Sequence, residues 1–332
     1  PFTGTIINFA IIAVLWFGGL QVNTGSLTQG QIIAFVNYLT QISIALVSLA
    51  NLIIAFIKAI NCSHRINEVF DTQPSVVETN KEYINIEENK DVPKIEFKNV
   101  SLAYSNSAKF AVKNLSFKAY VGDTIGIIGG TGSGKSSVVS LIPRFYDATS
   151  GKVLIDGVDV KDYSFEQLRG QIGLVPQKAV LFKGTLKENL QWRKPSATLL
   201  ELQKAVKISQ SAEFVDELPD KYDYKVQAGG KNFSGGQRQR LTIARALVGD
   251  PQILIMDDSA SALDFATDAN LRRAIKEEIK ATVIIVSQRA NTVRNANQII
   301  VMDNGNIVGQ GTHKELMETC DVYREIYQSQ TK

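Results

Sequence analysis

Residues 124–137 read TIGIIGGTGSGKSS. The first five are short and apolar, as a strand buried on both faces is. Gly129, Gly130, Thr131, Gly132, Ser133, Gly134, Lys135 and Ser136 then fit the spacing GxxxxGK[ST]. Between a strand and a helix, that spacing marks a phosphate-binding loop. Its glycines let the backbone curl so that N–H groups face phosphate oxygens, and the helix N-terminus adds partial positive charge. Lys135 has the length to reach β- and γ-phosphates, and Ser136 offers a hydroxyl to Mg²⁺. Ser137 completes the set of candidate nucleotide contacts.

Further short apolar runs follow at 172–175, 253–256, 282–286 and 298–302, and read as buried parallel strands. Residues 94–102 and 111–119 alternate in polarity, like half-exposed strands. Asp156-Gly157 and Asn304-Gly305 are tight-turn signals. Thr312 and Glu315 have capping-box spacing ahead of a last helix, expected over about 313–328. These elements predict an α/β domain over 94–332 with an antiparallel edge. The run Ile253-Leu254-Ile255-Met256-Asp257 ends in a carboxylate, which suits a second Mg²⁺-holding group. Asn232-Phe233-Ser234-Gly235-Gly236-Gln237 opens a helix expected over 237–248. Alone it reads as a flexible turn and cap, or as N–H groups offered to an anion.

N-terminal to this domain the composition changes. No Asp, Glu, Lys, Arg or His occurs before Lys58. Two apolar runs, 5–20 and 31–60, flank the polar stretch 21–30. Each reaches the ~20 residues that a helix needs to cross a bilayer once its uncharged flanks are counted. Soluble helices would show a charged face. Asn37, Tyr38, Gln41, Ser43, Ser48 and Asn51 interrupt the second run; such groups line a substrate path or join helices. Lys58, His64 and Arg65 place its C-terminal end on the cytoplasmic side. Residues 1–70 are thus expected to be the end of a membrane domain. Residues 71–93, charged and aperiodic with two prolines, read as a linker. The start at Pro1, inside an apolar run, suggests a piece of a longer protein that supplies further helices.

The net charge of +3 argues against a large nucleic-acid footprint. Cys62 and Cys320 lie outside any CxxC spacing and imply neither a disulfide scaffold nor a zinc site. They read as free thiols in a reducing compartment.

In order, the phosphate loop, Val175-Pro176-Gln177, Ser234-Gly235-Gly236-Gln237, the strand ending at Asp257, and Ser261-Ala262-Leu263-Asp264 resemble the ATP-binding-cassette (ABC) family. With two membrane helices ahead of them, the chain resembles half of a type I ABC exporter, and the resemblance covers nearly all of it. It implies that Tyr104 stacks on adenine and that Gln177 senses the γ-phosphate or Mg²⁺ and relays its movement to the membrane helices. It implies that Ser234, Gly235, Gly236 and Gln237 act on ATP held by a second subunit, and that Asp264 faces the dimer interface. ATP and Mg²⁺ are the implied cofactors. The implied partners are a second half-transporter, a lipid bilayer and a small-molecule, lipid or peptide substrate. The implied location is the plasma membrane, with the nucleotide-binding domain cytoplasmic. The half-transporter organisation suggests a bacterial source.

The chain departs from the family where hydrolysis is performed. Asp258 stands where the family usually has a water-polarising Glu, and Ser287-Gln288-Arg289 where it has Ser-His-Arg. Basicity hardly differs between Asp and Glu, but the shorter side chain withdraws the carboxylate by ~1 Å. Displacement on that scale can cost ~10²-fold. Gln288 keeps an amide but cannot carry the charge of histidine. The signature has Phe233 for the usual Leu. Val226-Gln227-Ala228-Gly229-Gly230 departs from Val-Gly-Glu-x-Gly. A weakened own site beside a retained signature suits the degenerate-site half of a heterodimer. A soluble ABC ATPase and an ATP-gated or regulatory membrane protein are the alternatives.

Overall fold

The computed structural model describes residues 2–78, 82–86, 89, 91–104, 109–259 and 263–330. It divides into two compact units, Pro1–Pro74 and Ser75–Lys332. In the first, helix α1 (Phe2–Asn23) and helix α2 (Gln29–Asp71) pack on each other. Gly18 permits the approach, since a Cβ there would meet Ile32 Cδ1 at 3.0 Å. Gly25, at φ +74°, closes α1; the N–H groups of Gly25 and Ser26 return to the Val22 and Gln21 carbonyls. Gln31 Oε1 accepts the Thr28 N–H at 2.9 Å and caps α2.

The 22 residues of α1 span roughly 33 Å, the thickness of a bilayer core. The 43 residues of α2 extend about 64 Å, so its charged C-terminal part reaches well past one. Large apolar side chains ring both helices; Trp16 is 71 % exposed and Phe56 67 %. Of the polar residues singled out on α2, Ser43 turns its hydroxyl back to the Leu39 carbonyl, as Thr40 does to that of Val36.

The second unit is built on a six-stranded sheet of order β12-β11-β3-β10-β9-β6. These strands are β3 (Thr124–Gly129), β6 (Ile172–Val175), β9 (Ile253–Asp257), β10 (Thr282–Ser287), β11 (Gln298–Asp303) and β12 (Asn306–Gly311). Five run parallel; β12 joins β11 antiparallel as the expected edge. Alternate residues enter two cores, as the period of 2 requires. Ile127, Ile255, Ile284 and Ile300 face a four-stranded antiparallel sheet that includes β1 (Ile95–Leu102), β2 (Val112–Ala119) and β4 (Ser150–Ile155). Ile128, Leu254, Ile285 and Val301 face the helical side, with Leu241 and Ala244 of helix Gly235–Leu247.

Asp156-Gly157 and Asn304-Gly305 are turns with positive φ at both residues, 50° and 79°, and 46° and 80°. The expected single last helix is instead two, His313–Thr319 and Asp321–Gln330. Cys320 is extended (φ −125°, ψ 105°) and buried against Gly309, whose Cβ would lie 2.7 Å from its Sγ. That break turns the second helix so that Tyr323 is fully buried.

The stretch read as a linker is docked in its described part after Pro74. Arg144 Nη2 donates to the Val77 carbonyl at 3.0 Å, and the Glu78 carboxylate accepts the Phe165 N–H at 2.6 Å. The Gln167 amide pairs with both the N–H and the carbonyl of Ile84, at 2.9 and 2.7 Å. These contacts use backbone groups, which no side-chain pattern reveals.

Candidate functional site

The phosphate loop leaves β3 and enters helix Lys135–Leu141. Glycine is needed at both of its ends. A Cβ on Gly129 would run into the Met302 carbonyl; one on Gly134 (φ +99°) would lie 2.7 Å from the Ala111 carbonyl. The Asn304-Gly305 turn buttresses the loop, with the Gly305 N–H donating to the Ser133 carbonyl at 3.2 Å. Lys135 folds over the loop. Its Nζ donates to Gly129 O at 2.9 Å, Gly130 O at 2.6 Å and Ser133 Oγ at 3.2 Å, using all three donors. Burial pulls this ammonium below its ordinary range, while Asp258 and Asp257 act to hold the proton on.

The end of β9 brings Asp257 and Asp258 to the loop, and Gln177 follows the end of β6. Ser136 Oγ lies 3.2 Å from Asp257 Oδ1, and Gln177 Nε2 lies 3.4 Å from Asp258 Oδ2. Ser136, Asp257 and Gln177 thus offer hard oxygen donors, the set Mg²⁺ takes. Asp258 is in the left-handed region (φ +46°), and its N–H donates to the Val286 carbonyl at 3.0 Å. Burial raises both carboxyls; Asp258 adds to the rise at Asp257, whereas Lys135, the Gln177 hydrogen bond and Arg289 oppose the rise at Asp258.

A carboxyl raised in the folded chain binds its proton more tightly there than when unfolded. Stability therefore falls as pH rises from about 3.8 through the raised range. Above the raised range the ionised Asp258 costs stability. Asp258→Asn is expected to raise the Tm at pH 7.5, and the gain should shrink toward zero near pH 4. An equal Tm at both pH values would show that this carboxylate is fully compensated.

Tyr104 stands beside the loop, its hydroxyl 2.9 Å from Ser137 Oγ and its ring edge-on to Tyr146 at 4.8 Å. Gln288 is exposed just past β10. Ser234 and Gln237 do not bond the loop; they form a reciprocal capping box on helix Gly235–Leu247, at 2.9 and 3.2 Å. The S-x-x-Q spacing carries that signal in the sequence, where the stretch reads as a turn and cap or as N–H groups offered to an anion. Phe233 is buried edge-on to Phe214 and Tyr224. Asp264 caps helix Phe265–Glu278 through the Thr267 N–H. Ser261 and Ala262 lie outside the described residues. Arg289, not singled out from sequence, acts on both Asp258 and Asp268 and lies over the Phe265 ring at 5.5 Å.

Residues 112–261, from β2 past the acidic end of β9, match the family model described as ABC transporter. The chain carries an ABC transporter ATP-binding domain. It is 41 % identical over 330 residues to the uncharacterized ABC transporter ATP-binding protein YfiB of Bacillus subtilis, covering 99 % of this chain and 56 % of that protein. It is 36 % identical over 327 residues to a fatty acid ABC transporter ATP-binding/permease protein of Mycobacterium tuberculosis, covering 98 % and 51 %. Among solved structures it resembles a bacterial Atm1-family ABC exporter with ATP bound, with a TM-score of 0.77 and 30 % identity over 99 % of this chain and 58 % of that one. The chain spans about half the length of the curated relatives it matches. Two apolar helices followed by an ABC ATP-binding domain is thus an arrangement it shares with exporters, as the sequence implies.

Proposed function

We propose that this chain is the ATP-binding part of an ABC exporter subunit. It couples ATP binding and hydrolysis to export of a small-molecule, lipid or peptide substrate across the plasma membrane, with the ABC domain in the cytoplasm. One observation carries this reading. Lys135, Ser136, Gln177, Asp257 and Asp258 converge on one glycine loop, in a chain whose α1 and α2 carry no charge before Lys58.

The loop N–H groups from Gly130 to Ser137 cradle the phosphates. Lys135 exchanges the Gly129 and Gly130 carbonyls for β- and γ-phosphate oxygens. Ser136, Asp257 and Gln177 would hold Mg²⁺, which would supply charge neutralisation at the phosphates. Tyr104 presents its ring to adenine. Asp258 orients the attacking water, with its carboxylate tethered to Gln177. Gln288 hydrogen-bonds the γ-phosphate. Ser234 to Gln237 act on ATP held by a second half-transporter. With Asp258 and Gln288 in place of Glu and His, the own site hydrolyses slowly, and a heterodimer supplies the competent one.

In alkaline carbonate the full-length protein is expected to stay with the membrane pellet and to leave it only in detergent. The solubilised protein should bind MgATP, and Lys135→Ala should abolish binding. Release by carbonate would favour a soluble ABC ATPase. Unitary ionic currents in a bilayer would favour an ATP-gated protein.

A further inference from the structure

The last helix, Asp321–Gln330, ends on the segment that follows β10. The Gln330 side-chain amide bridges that segment. Its Nε2 donates to the Gln288 carbonyl at 2.7 Å, and its Oε1 accepts the Ala290 N–H at 2.8 Å. Between the two, the Arg289 N–H donates to Ser287 Oγ at 3.0 Å. Three successive backbone groups are thus held by side chains, not by a strand or helix ladder.

The helix that carries Gln330 is itself fixed. Tyr323 is fully buried, with its hydroxyl 2.9 Å from His313 Nδ1. Arg324 donates to the Met317 and Glu318 carbonyls at 2.9 and 3.1 Å. Gln288 is exposed, so packing does not decide where its side chain sets out; the path of its backbone does. A side chain with several free torsions on an unanchored turn would wander by more than the ångström that matters for phosphate contact.

We infer that Gln330 is a positioning residue for Gln288. It locks the β10 turn so that the Gln288 amide is held where a nucleoside triphosphate differs from a diphosphate. The C-terminal helix thereby sets how strongly the site prefers ATP over ADP. This rests on the proposed role of Gln288 at the γ-phosphate.

The test uses the full-length protein in detergent and measures Kd for MgATP and MgADP, together with amide exchange over residues 287–291. The wild type should prefer ATP. Gln330→Met has similar length and no hydrogen bonds. It should lower the ATP-over-ADP preference about three- to tenfold, the loss expected from one or two net hydrogen bonds, and speed exchange of the Ala290 amide with little change in Tm. Gln330→Glu keeps the acceptor for the Ala290 N–H but loses the donor to Gln288. It should preserve Ala290 protection and still lose ATP preference. The inference is overturned if Gln330→Met leaves the preference within twofold of wild type. It is also overturned if ATP and ADP affinity fall equally along with Tm, or if Gln330→Glu behaves as wild type. A wild type that does not favour ATP would overturn the proposed function first, and this inference with it. A wild type that favours ATP, with an indifferent Gln330→Met, overturns this inference alone.

Discussion

Asp258→Glu combined with Gln288→His is expected to raise ATP turnover of the purified full-length protein by about 10²-fold or more. A positioned general base contributes typically ~10²–10⁴-fold, and the two residues stand at the end of β9 and just past β10, beside the phosphate loop. The extra methylene carries the carboxylate past its contact with Gln177 Nε2, now at 3.4 Å. Histidine adds a donor that can carry charge at the position proposed to contact the γ-phosphate. The change has a cost in stability. Position 258 has φ +46°, a conformation that Asp tolerates better than longer side chains, so a slightly lower Tm should accompany the faster rate. Steady-state phosphate release with and without both substitutions measures this. A wild type that already turns over rapidly, with little gain from the pair, would make Asp258 and Gln288 working substitutes. A symmetric homodimer would then be the better assembly.

Gly134→Ala is expected to lower MgATP affinity by about 10²-fold. The position has φ +99°, and the added methyl would lie 2.7 Å from the Ala111 carbonyl and 2.8 Å from Val112 Cγ1. Left-handed backbone costs an L-residue ~1–2 kcal/mol. The clash is with β2 and the residue before it, so relief requires the loop to move. Displacing its N–H groups by an ångström misaligns them with the phosphates. Gly170→Ala is the control, because nothing lies within 4 Å of the added atom and the residue is remote from the loop in sequence. Isothermal titration with MgATP separates the two. Equal affinities for both variants would show that the loop adapts and that Gly134 is not required for nucleotide binding.

The local parts of this site were legible because their chemistry is local. Eight contiguous residues make the phosphate loop, and the residues flanking it announce strand and helix. Asp257 could be read because the apolar run it ends occurs together with the phosphate loop, a pairing that suits a second Mg²⁺-holding group. Uncharged apolar runs of membrane length are equally explicit, since a span of that kind asks for apolar residues throughout a segment. Short continuous apolar runs, period-2 alternation over 94–102 and 111–119, and the Asp-Gly and Asn-Gly signals likewise marked those strands and turns. Ser234 could be read as opening a helix, but a role for Ser234 and Gln237 toward nucleotide came from the family resemblance alone.

Besides Arg289, three further features were not legible in the sequence, each for a stated reason. The segment after Pro74 has a linker's composition, yet its backbone docks on the Arg144 and Gln167 side chains, and its Glu78 carboxylate accepts the Phe165 N–H. The final helix breaks at Cys320 because Gly309, on a strand of the central sheet, leaves room for that side chain. Helical periodicity alone cannot register such a vacancy in another element. Gln330 meets Gln288 and Ala290 across 42 and 40 residues of chain.

The sequence by itself determined the phosphate loop, the strands that carry its acidic partners, and the two membrane-length helices, because hydrophobic period, backbone chirality and lipid burial act on neighbouring residues. Only the tertiary structure decided that Lys135 lies folded on its own loop, that Asp258 is tethered to Gln177, and that the end of the chain holds the Gln288 turn. Those outcomes depend on which hydrogen-bonding groups meet once the sheet has closed, and polar groups on distant segments carry no mark of the partner they will find.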